Sequence, residues 1–289
     1  MNKPLRLASV AAMVAAASLT LGTGCECYQN IDENGNPETV CESLVRFEGE
    51  LQTVTLNYTQ GDDIVVEGVN GNIDIKRGGA ADTVSVTFTP FSMRGHSFEE
   101  DAKKDLDEDL MLETDDQGRI LIKVSRASGS STGLGADMNI TLPDGFTGGV
   151  NVDVGNGFLD ADLGGGTPAF TTIKNTGSGD IEVTGAAGPL DIRGEFDVSV
   201  KVAAWSDQNG SILSRGNLGE VDITVPAGAN GYIQATCQEG EVTTPSSLPS
   251  DWSVNEAAPN SKTINFGPEP ENGGGVTTDA SDAVRIHAG

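Results

Sequence analysis

Apolar and polar residues alternate along most of this chain. Residues 52–59 (QTVTLNYT), 71–76 (GNIDIK), 82–89 (DTVSVTFT) and 119–124 (RILIKV) each set apolar side chains two apart. Residues 148–154 (GGVNVDV), 179–185 (GDIEVTG), 196–202 (FDVSVKV) and 219–225 (GEVDITV) repeat the pattern. Side chains leave a strand on alternate faces, so this period predicts strands with one buried and one solvated face. Gly, Asn, Asp and Pro separate the runs and supply the backbone conformations that turns need.

One segment departs from this period. In residues 97–110 (SFEEDAKKDLDEDL), Phe98, Ala102, Leu106 and Leu110 fall four apart, which puts them on one helical stripe. Ser97 followed by Glu100 reads as a capping box, and the acids of the first turn suit the positive end of a helix. The segment is expected to be a helix laid against a sheet, with a solvated acidic face.

An internal repeat organises the strands. Residues 139–159 (NITLPDGFTGGVNVDVGNGFL) align without gaps to residues 222–242 (DITVPAGANGYIQATCQEGEV). Ile140 meets Ile223, Pro143 meets Pro226, and Gly145, Gly148 and Gly157 meet Gly228, Gly231 and Gly240. Gly157, Gly179, Gly210 and Gly240 read as turn glycines spaced by about 20–30 residues, a period of stacked rungs that bury their apolar faces against neighbours. The expected fold is all-β, a single elongated β-solenoid of Gly-punctuated rungs with one short helix insert. The uneven spacing keeps a Greek-key β-sandwich as the alternative.

Composition narrows the partners. Against 43 Asp and Glu there are 17 Lys and Arg, for a formal net charge of −26. Such a surface repels phosphate backbones and anionic headgroups, so nucleic acid is excluded as a partner. The first residues carry Lys3 and Arg6, then an apolar run from Leu7 to Leu21, then small residues. That run is shorter than the ~20 residues of a membrane-spanning helix. Residues 1–24 therefore read as a secretory signal peptide. Its removal takes away two bases and no acid, leaving the exported chain more acidic still.

Four cysteines remain to be placed. Cys237 aligns with Val154 at the end of an alternating apolar set, so it is expected as a buried free thiol. Cys27 and Cys41 flank a turn signal, NGNP, that brings them within reach of a disulfide. In the chain-entropy model, closing that loop contributes about 3 kcal/mol. Cys25 follows Leu21-Gly22-Thr23-Gly24 directly. This resembles the lipobox of bacterial lipoproteins, in which the cysteine after small residues is acylated and becomes the new N-terminus. Here Gly22 stands where the usual pattern has an aliphatic residue. The rival scheme pairs all four cysteines and makes the protein soluble.

Candidate chemistry is sparse. The two histidines, His96 and His287, offer no fixed catalytic partners, and no H-E-x-x-H, P-loop or zinc-spaced Cys/His cluster occurs. No catalytic residue, cofactor or metal is expected. The pairs Asp160/Asp162 and Asp180/Glu182 project from single strand faces and are the best carboxylates for a polysaccharide-acting enzyme. The turns around GNGFLDADL and GSGDIEV hold only fragments of a Ca²⁺-binding glycine–aspartate repeat.

With the strands, glycine turns and the ITLP…G…G.V.V…G pattern in view, residues 62–266 or so resemble a family of bacterial envelope proteins of adhesin type, β-solenoids of unknown activity. The resemblance implies an exported cell-envelope protein, an outer-membrane lipoprotein anchored through Cys25, acting as an adhesin-like or structural binding module toward surface glycan or protein. It carries over no catalytic residues. The other readings are a polysaccharide-acting β-helix enzyme and a periplasmic structural or sensing module. The expected organisation is a signal peptide (1–24), an N-terminal tether with the disulfide loop (25–47), the solenoid (48–267, helix insert 97–110), and an acidic Pro/Gly loop with a terminal strand (268–289).

Overall fold

Alternation does become strand, and the strands sort into two sheets that bury their apolar faces against each other. The structure, a computed structural model, describes residues 24–31, 36–130, 132–164, 168–205, 209–216, 219–268 and 274–288. The leader expected over residues 1–24 thus lies outside the described residues, save Gly24.

In chain order the first strands are β1 (Cys25–Ile31), β2 (Pro37–Glu48), β3 (Gln52–Asn57), β4 (Ile64–Gly68), β5 (Ile73–Gly79) and β6 (Thr83–Gly95). The helix α1 (Glu99–Lys104) precedes β7 (Leu110–Asp115), β8 (Ile120–Arg126) and β9 (Leu134–Pro143). Then come β10 (Val150–Val154), β11 (Leu159–Asp162), β12 (Thr171–Asn175), β13 (Ile181–Ala186), β14 (Leu190–Gly194), β15 (Val198–Val202), β16 (Asn209–Ser214) and β17 (Val221–Val225). The last are β18 (Gly231–Cys237), β19 (Val242–Thr243), β20 (Trp252–Ala258), β21 (Ser261–Phe266), β22 (Gly274–Ala280) and β23 (Val284–Ala288).

A 12-stranded sheet runs β1-β2-β6-β9-β5-β11-β13-β15-β17-β23-β19 with β3 on β6, and an 11-stranded sheet runs β20-β21-β18-β22-β16-β14-β12-β10-β4-β8-β7. Both are mixed: parallel pairs fill the middle, antiparallel pairs close both ends of the 11-stranded sheet and the β1 end of the 12-stranded one, and β19 ends the latter parallel to β23. Each parallel tier contributes one strand to each sheet. The register places Leu159, Ile181, Val198, Val221 and Val284 in one inward column, and Val150, Thr171 and Leu190 in a facing one. All of them are at most 2% exposed, and each of the Val, Leu and Ile side chains contributes about 1.5–3 kcal/mol by leaving water.

The tiers do not stack in chain order. β8/β9 comes first, then β4/β5, then β10/β11. At the far end β22/β23 lies between β16/β17 and β18/β19. The chain therefore skips a tier twice, from β9 to β10 and from β17 to β18. Those two crossovers are the two copies of the sequence repeat. Each turns at its shared proline: Phe146 N–H donates to Pro143 O at 3.0 Å, and Ala229 N–H donates to Pro226 O at 3.3 Å. Each then passes the skipped tier at a glycine. A Cβ on Gly148 would lie 1.8 Å from Asp62 O, and one on Gly231 would lie 2.1 Å from Gly274 O. The repeat thus marks tier-skipping crossovers, where the sequence pattern had suggested plain neighbouring rungs.

Three other expectations change. Gly210 is not a turn glycine but a residue of β16, pressed so close to Leu190 that a Cβ would meet its carbonyl at 1.7 Å. The acidic Pro/Gly loop and single terminal strand expected over 268–289 become two strands, because β22 begins at Gly274 and β23 at Val284. The segment expected as a tether is built into the 12-stranded sheet: β1 and β2 form an antiparallel hairpin, and β2 pairs with β6.

The helix is shorter than its stripe. A 3-10 turn (His96–Phe98), α1 and a π-turn (Asp105–Asp109) follow one another, and Leu110 already starts β7. No capping box forms. The Ser97 N–H and hydroxyl both donate to the Glu42 carboxylate instead, since a charged acceptor makes the stronger bond. The hydroxyl first, then the N–H, hold Glu42 below the usual carboxylate range. That contribution is present at neutral pH and is lost as pH falls through the folded-state pKa.

Among the described residues two core hydroxyls have no protein partner, Thr171 Oγ1 and Thr278 Oγ1. Thr278 is fully buried, between Ile212 and Ala235 of the adjacent strands. Replacing its hydroxyl by a methyl removes an unpaired buried polar group at nearly constant shape. Thr278→Val is therefore expected to raise stability by about 1 kcal/mol, read as a higher urea midpoint. A lower midpoint would show that the hydroxyl is satisfied in solution.

Candidate binding groove

Three tiers meet the N-terminal hairpin around a groove of about 260 Å³. Its floor is a stack of turns that carry the chain from the 11-stranded to the 12-stranded sheet. Gly71, Gly157 and Gly179 occupy equivalent places, with φ of 121°, 135° and 115°. Side chains disfavour that conformation, and space excludes them as well. A Cβ on Gly157 would lie 2.0 Å from Gly71 O, and one on Gly179 would lie 2.2 Å from Gly157 O.

The residues before these glycines bind up the stack. Asn70 Nδ2 donates to Thr132 O at 2.7 Å and to Leu134 O at 2.9 Å. Asn156 Nδ2 donates to Asn70 Oδ1 at 2.9 Å, and Ser178 N–H donates to Asn156 Oδ1 at 3.1 Å. Behind them Asn175, buried, donates to the carbonyls of Gly157 and Gly179 and accepts from Gly177 N–H. This amide ladder uses the polar groups of the floor and makes it stiff.

The residues after the glycines reach outward. Phe158 is 46% exposed. Asn72 Oδ1 accepts Phe158 N–H at 3.0 Å, and its amide NH₂ has no protein partner among the described residues. The wall comes from β2, β6 and β9. Arg46 lies 4.1 Å above the ring of Phe91, a cation–π contact. Arg46 Nη2 donates to Asp137 Oδ2 at 2.7 Å, while Asp137 Oδ1 accepts Asn72 N–H at 2.8 Å. One carboxylate thus ties the wall to the floor. The sequence reading did not single out Phe158; the available signal was an aromatic directly after a turn glycine, where the aligned copy has Glu241.

The residues singled out from sequence lie elsewhere. Cys25 is exposed, the first residue of β1, with its sulfur 3.9 Å from that of Cys27. Cys27 and Cys41 face each other in the hairpin register and form a disulfide. Cys237 is a buried free thiol at the end of β18, and burial pushes its pKa up. Asp160 and Glu182 stand beside Asp74 in register on the outer face of the 12-stranded sheet. Asp162 lies two residues along that face, accepting from Thr184 and Gly164. These carboxylates occupy an open sheet surface, not a cleft. Asp180 sits in the turn before β13 and accepts Asp197 N–H. His96 is in the 3-10 turn, whereas His287 pairs with Asp222 at 3.0 Å on the opposite sheet end.

No model of a known protein family matches the chain, and no curated protein does. Among solved structures it is similar to a "putative cell adhesion protein" from Clostridium sporogenes, 16% identical, with a TM-score of 0.45 over 85% of this chain and 100% of that one. It is also similar to a "putative adhesin" from Bacteroides fragilis, 10% identical, with a TM-score of 0.32 over 82% and 97%. A "putative lipid binding protein" from Parabacteroides distasonis is 11% identical, with a TM-score of 0.20 over 83% and 94%.

Proposed function

We propose that this chain is an exported, lipid-anchored β-solenoid that serves as an adhesin-like binding module of the bacterial cell envelope. The observation that carries the binding role is the groove. An exposed aromatic, Phe158, stands over a floor held rigid by an amide ladder and beside an Arg46–Asp137 wall. Preorganised polar groups next to an exposed ring are what a recognition surface needs, since little ordering remains to oppose binding. The in-register parallel tiers support the solenoid reading over a Greek-key sandwich, in which neighbouring strands run antiparallel.

The anchoring role rests on Cys25. Its thiol is exposed, outside the disulfide, and directly follows the small residues of the leader. Among the described residues no helix is long and apolar enough to cross a membrane. Multiple acyl chains would then supply the membrane attachment, because one chain binds only reversibly. Anchoring many copies raises the effective concentration of weak sites.

The intact mass of the protein from its native host tests the anchor. The expected product starts at Cys25, carries added acyl mass, keeps the Cys27–Cys41 disulfide, and has one thiol that alkylates only on unfolding. Cys25→Ser is expected to move the protein from the membrane to the soluble fraction. An unmodified mature chain with two disulfides would overturn the reading.

A further inference from the structure

We propose that the groove takes an uncharged glycan, seated with the apolar face of one sugar ring on Phe158. This inference rests on reading the groove as the contact site, and it names the ligand class.

Three features point to a sugar. The backbone around the groove is already committed. Gly71 N–H donates to Asn156 O, Gly157 N–H to Ser178 O, and Ala136 N–H to Asn70 O. A peptide adding itself as a strand needs free backbone donors and acceptors, and the floor offers none at these positions. Recognition has to run through side chains. Those available are an exposed aromatic ring, the Asn72 NH₂, the Ser178 hydroxyl as an acceptor, its proton being given to Asn156 Oδ1 at 3.4 Å, and the polar rim of Arg46 and Asp137. A ring with one C–H face and hydroxyls along its edge matches that set: the face packs on Phe158, and the hydroxyls bond to amide, hydroxyl and carboxylate.

Charge then selects within sugars. Arg46 is the cation lining the groove, and it is engaged by Asp137, by Glu48 at 3.0 Å and by the Phe91 ring. The chain around it carries a net charge of −26. A uronate or sialic acid would meet a repulsive field without a free guanidinium to offset it. A neutral hexose or N-acetylhexosamine chain meets no such penalty.

The test is titration of the mature protein with neutral oligosaccharides of hexose and N-acetylhexosamine, against uronic-acid and sialylated oligosaccharides of equal length. The expected result is binding to neutral chains that 0.1 and 0.5 M salt leave unchanged. Phe158→Ala should weaken it about tenfold, as the loss of one ring-stacking contact predicts, and Phe158→Tyr should restore it. Phe158 is half exposed, so the unfolding midpoint of the alanine variant should not move. Preference for the acidic sugars, or binding indifferent to Phe158, would overturn the inference.

Attachment of protein-coated beads to bacterial envelope fragments and epithelial layers, before and after periodate oxidation of the target, separates the two levels. Attachment that needs Phe158 and disappears after periodate supports both. Attachment that needs Phe158 but survives periodate keeps the groove and rejects the glycan. Attachment indifferent to Phe158 rejects the groove itself.

Discussion

A chain ending before Gly274 is expected not to fold, and a peptide of residues 274–288 added in trans is expected to restore it. The reason is the place of the last tier. β22 pairs with β16 on one side and with β18 on the other, while β23 pairs with β17 and β19. Removing them leaves two tiers separated by a gap one strand wide, with both edges unpaired. Val276, Val284 and Ile286, each at most 1% exposed, are lost with them. At about 1.5–3 kcal/mol each, they carry roughly 5–9 kcal/mol. That rivals the whole stability of a typical domain, about 5–15 kcal/mol.

Sliding β18 onto β16 would not repair the gap, because the crossover through Gly231 is shaped around Gly274 O. Near-ultraviolet circular dichroism and a urea melt check this. The truncated chain should show no cooperative transition, and the peptide, acting as a donated strand, should return one. A truncated chain with an unchanged midpoint would mean that the tiers close up without it.

The second large effect is expected at Asp105. Its carboxylate, 7% exposed, accepts from Arg94 Nε at 2.7 Å and Nη2 at 2.8 Å, and from Ser92 Oγ at 2.9 Å. Arg94 also donates to Glu26 at 2.8 Å, and Glu26 accepts Gly95 N–H. One guanidinium therefore joins β1, β6 and the π-turn. Asp105→Ala leaves that cation with half its partners in a partly buried site, which costs about 3 kcal/mol, the low end for a broken buried pair because Arg94 keeps 22% of its side-chain exposure. The urea midpoint should fall accordingly. Combining it with Arg94→Met should recover part of the loss, since the uncompensated charge is then gone. If the single variant melts like the parent, the clamp is not what holds the hairpin down.

Asp105 also shows where pattern reading stopped. The stripe Phe98, Ala102, Leu106, Leu110 correctly indicated a helix packed on a sheet, and Ala102 is its buried member. Asp105 falls three residues after Ala102 and seven after Phe98, on the side of the stripe, but as one acid of an acid-rich segment it was expected to be solvated. It is buried because the backbone widens into a π-turn there and because Arg94, far from the stripe's logic, waits on β6. A carboxylate can be buried when a fixed cation meets it, and a helical period carries no information about a partner on another strand. The same holds for Ser97, whose hydroxyl goes to Glu42 on β2 and not to its own helix.

The groove was legible only in pieces. Gly157 and Gly179 of its floor stood out, because a turn repeated at similar spacing needs the same conformation each time, whereas Gly71 was not singled out. Arg46, Phe91 and Asp137 did not, since they come from strands that meet the floor only after the hairpin folds over it. Cys237 is the opposite case: it was singled out through its alignment with Val154, and in the structure it is buried in register with Ala280.

By itself the sequence determined that the protein is built of strands and, along the alternating runs, which residues face inward. Those properties follow from local sterics and from a period of two, and they hold in any arrangement of the same strands. Only the tertiary structure decided the order of the tiers. Parallel pairing runs through backbone N–H and C=O groups that are alike in every strand, and each tier offers much the same Val and Ile column. Nothing in such a strand addresses it to one neighbour. The address lies in the crossovers, whose Pro-x-Gly-x-x-Gly path past Gly148 and Gly231 lifts the chain over one tier and leaves the place that β4/β5 and β22/β23 occupy.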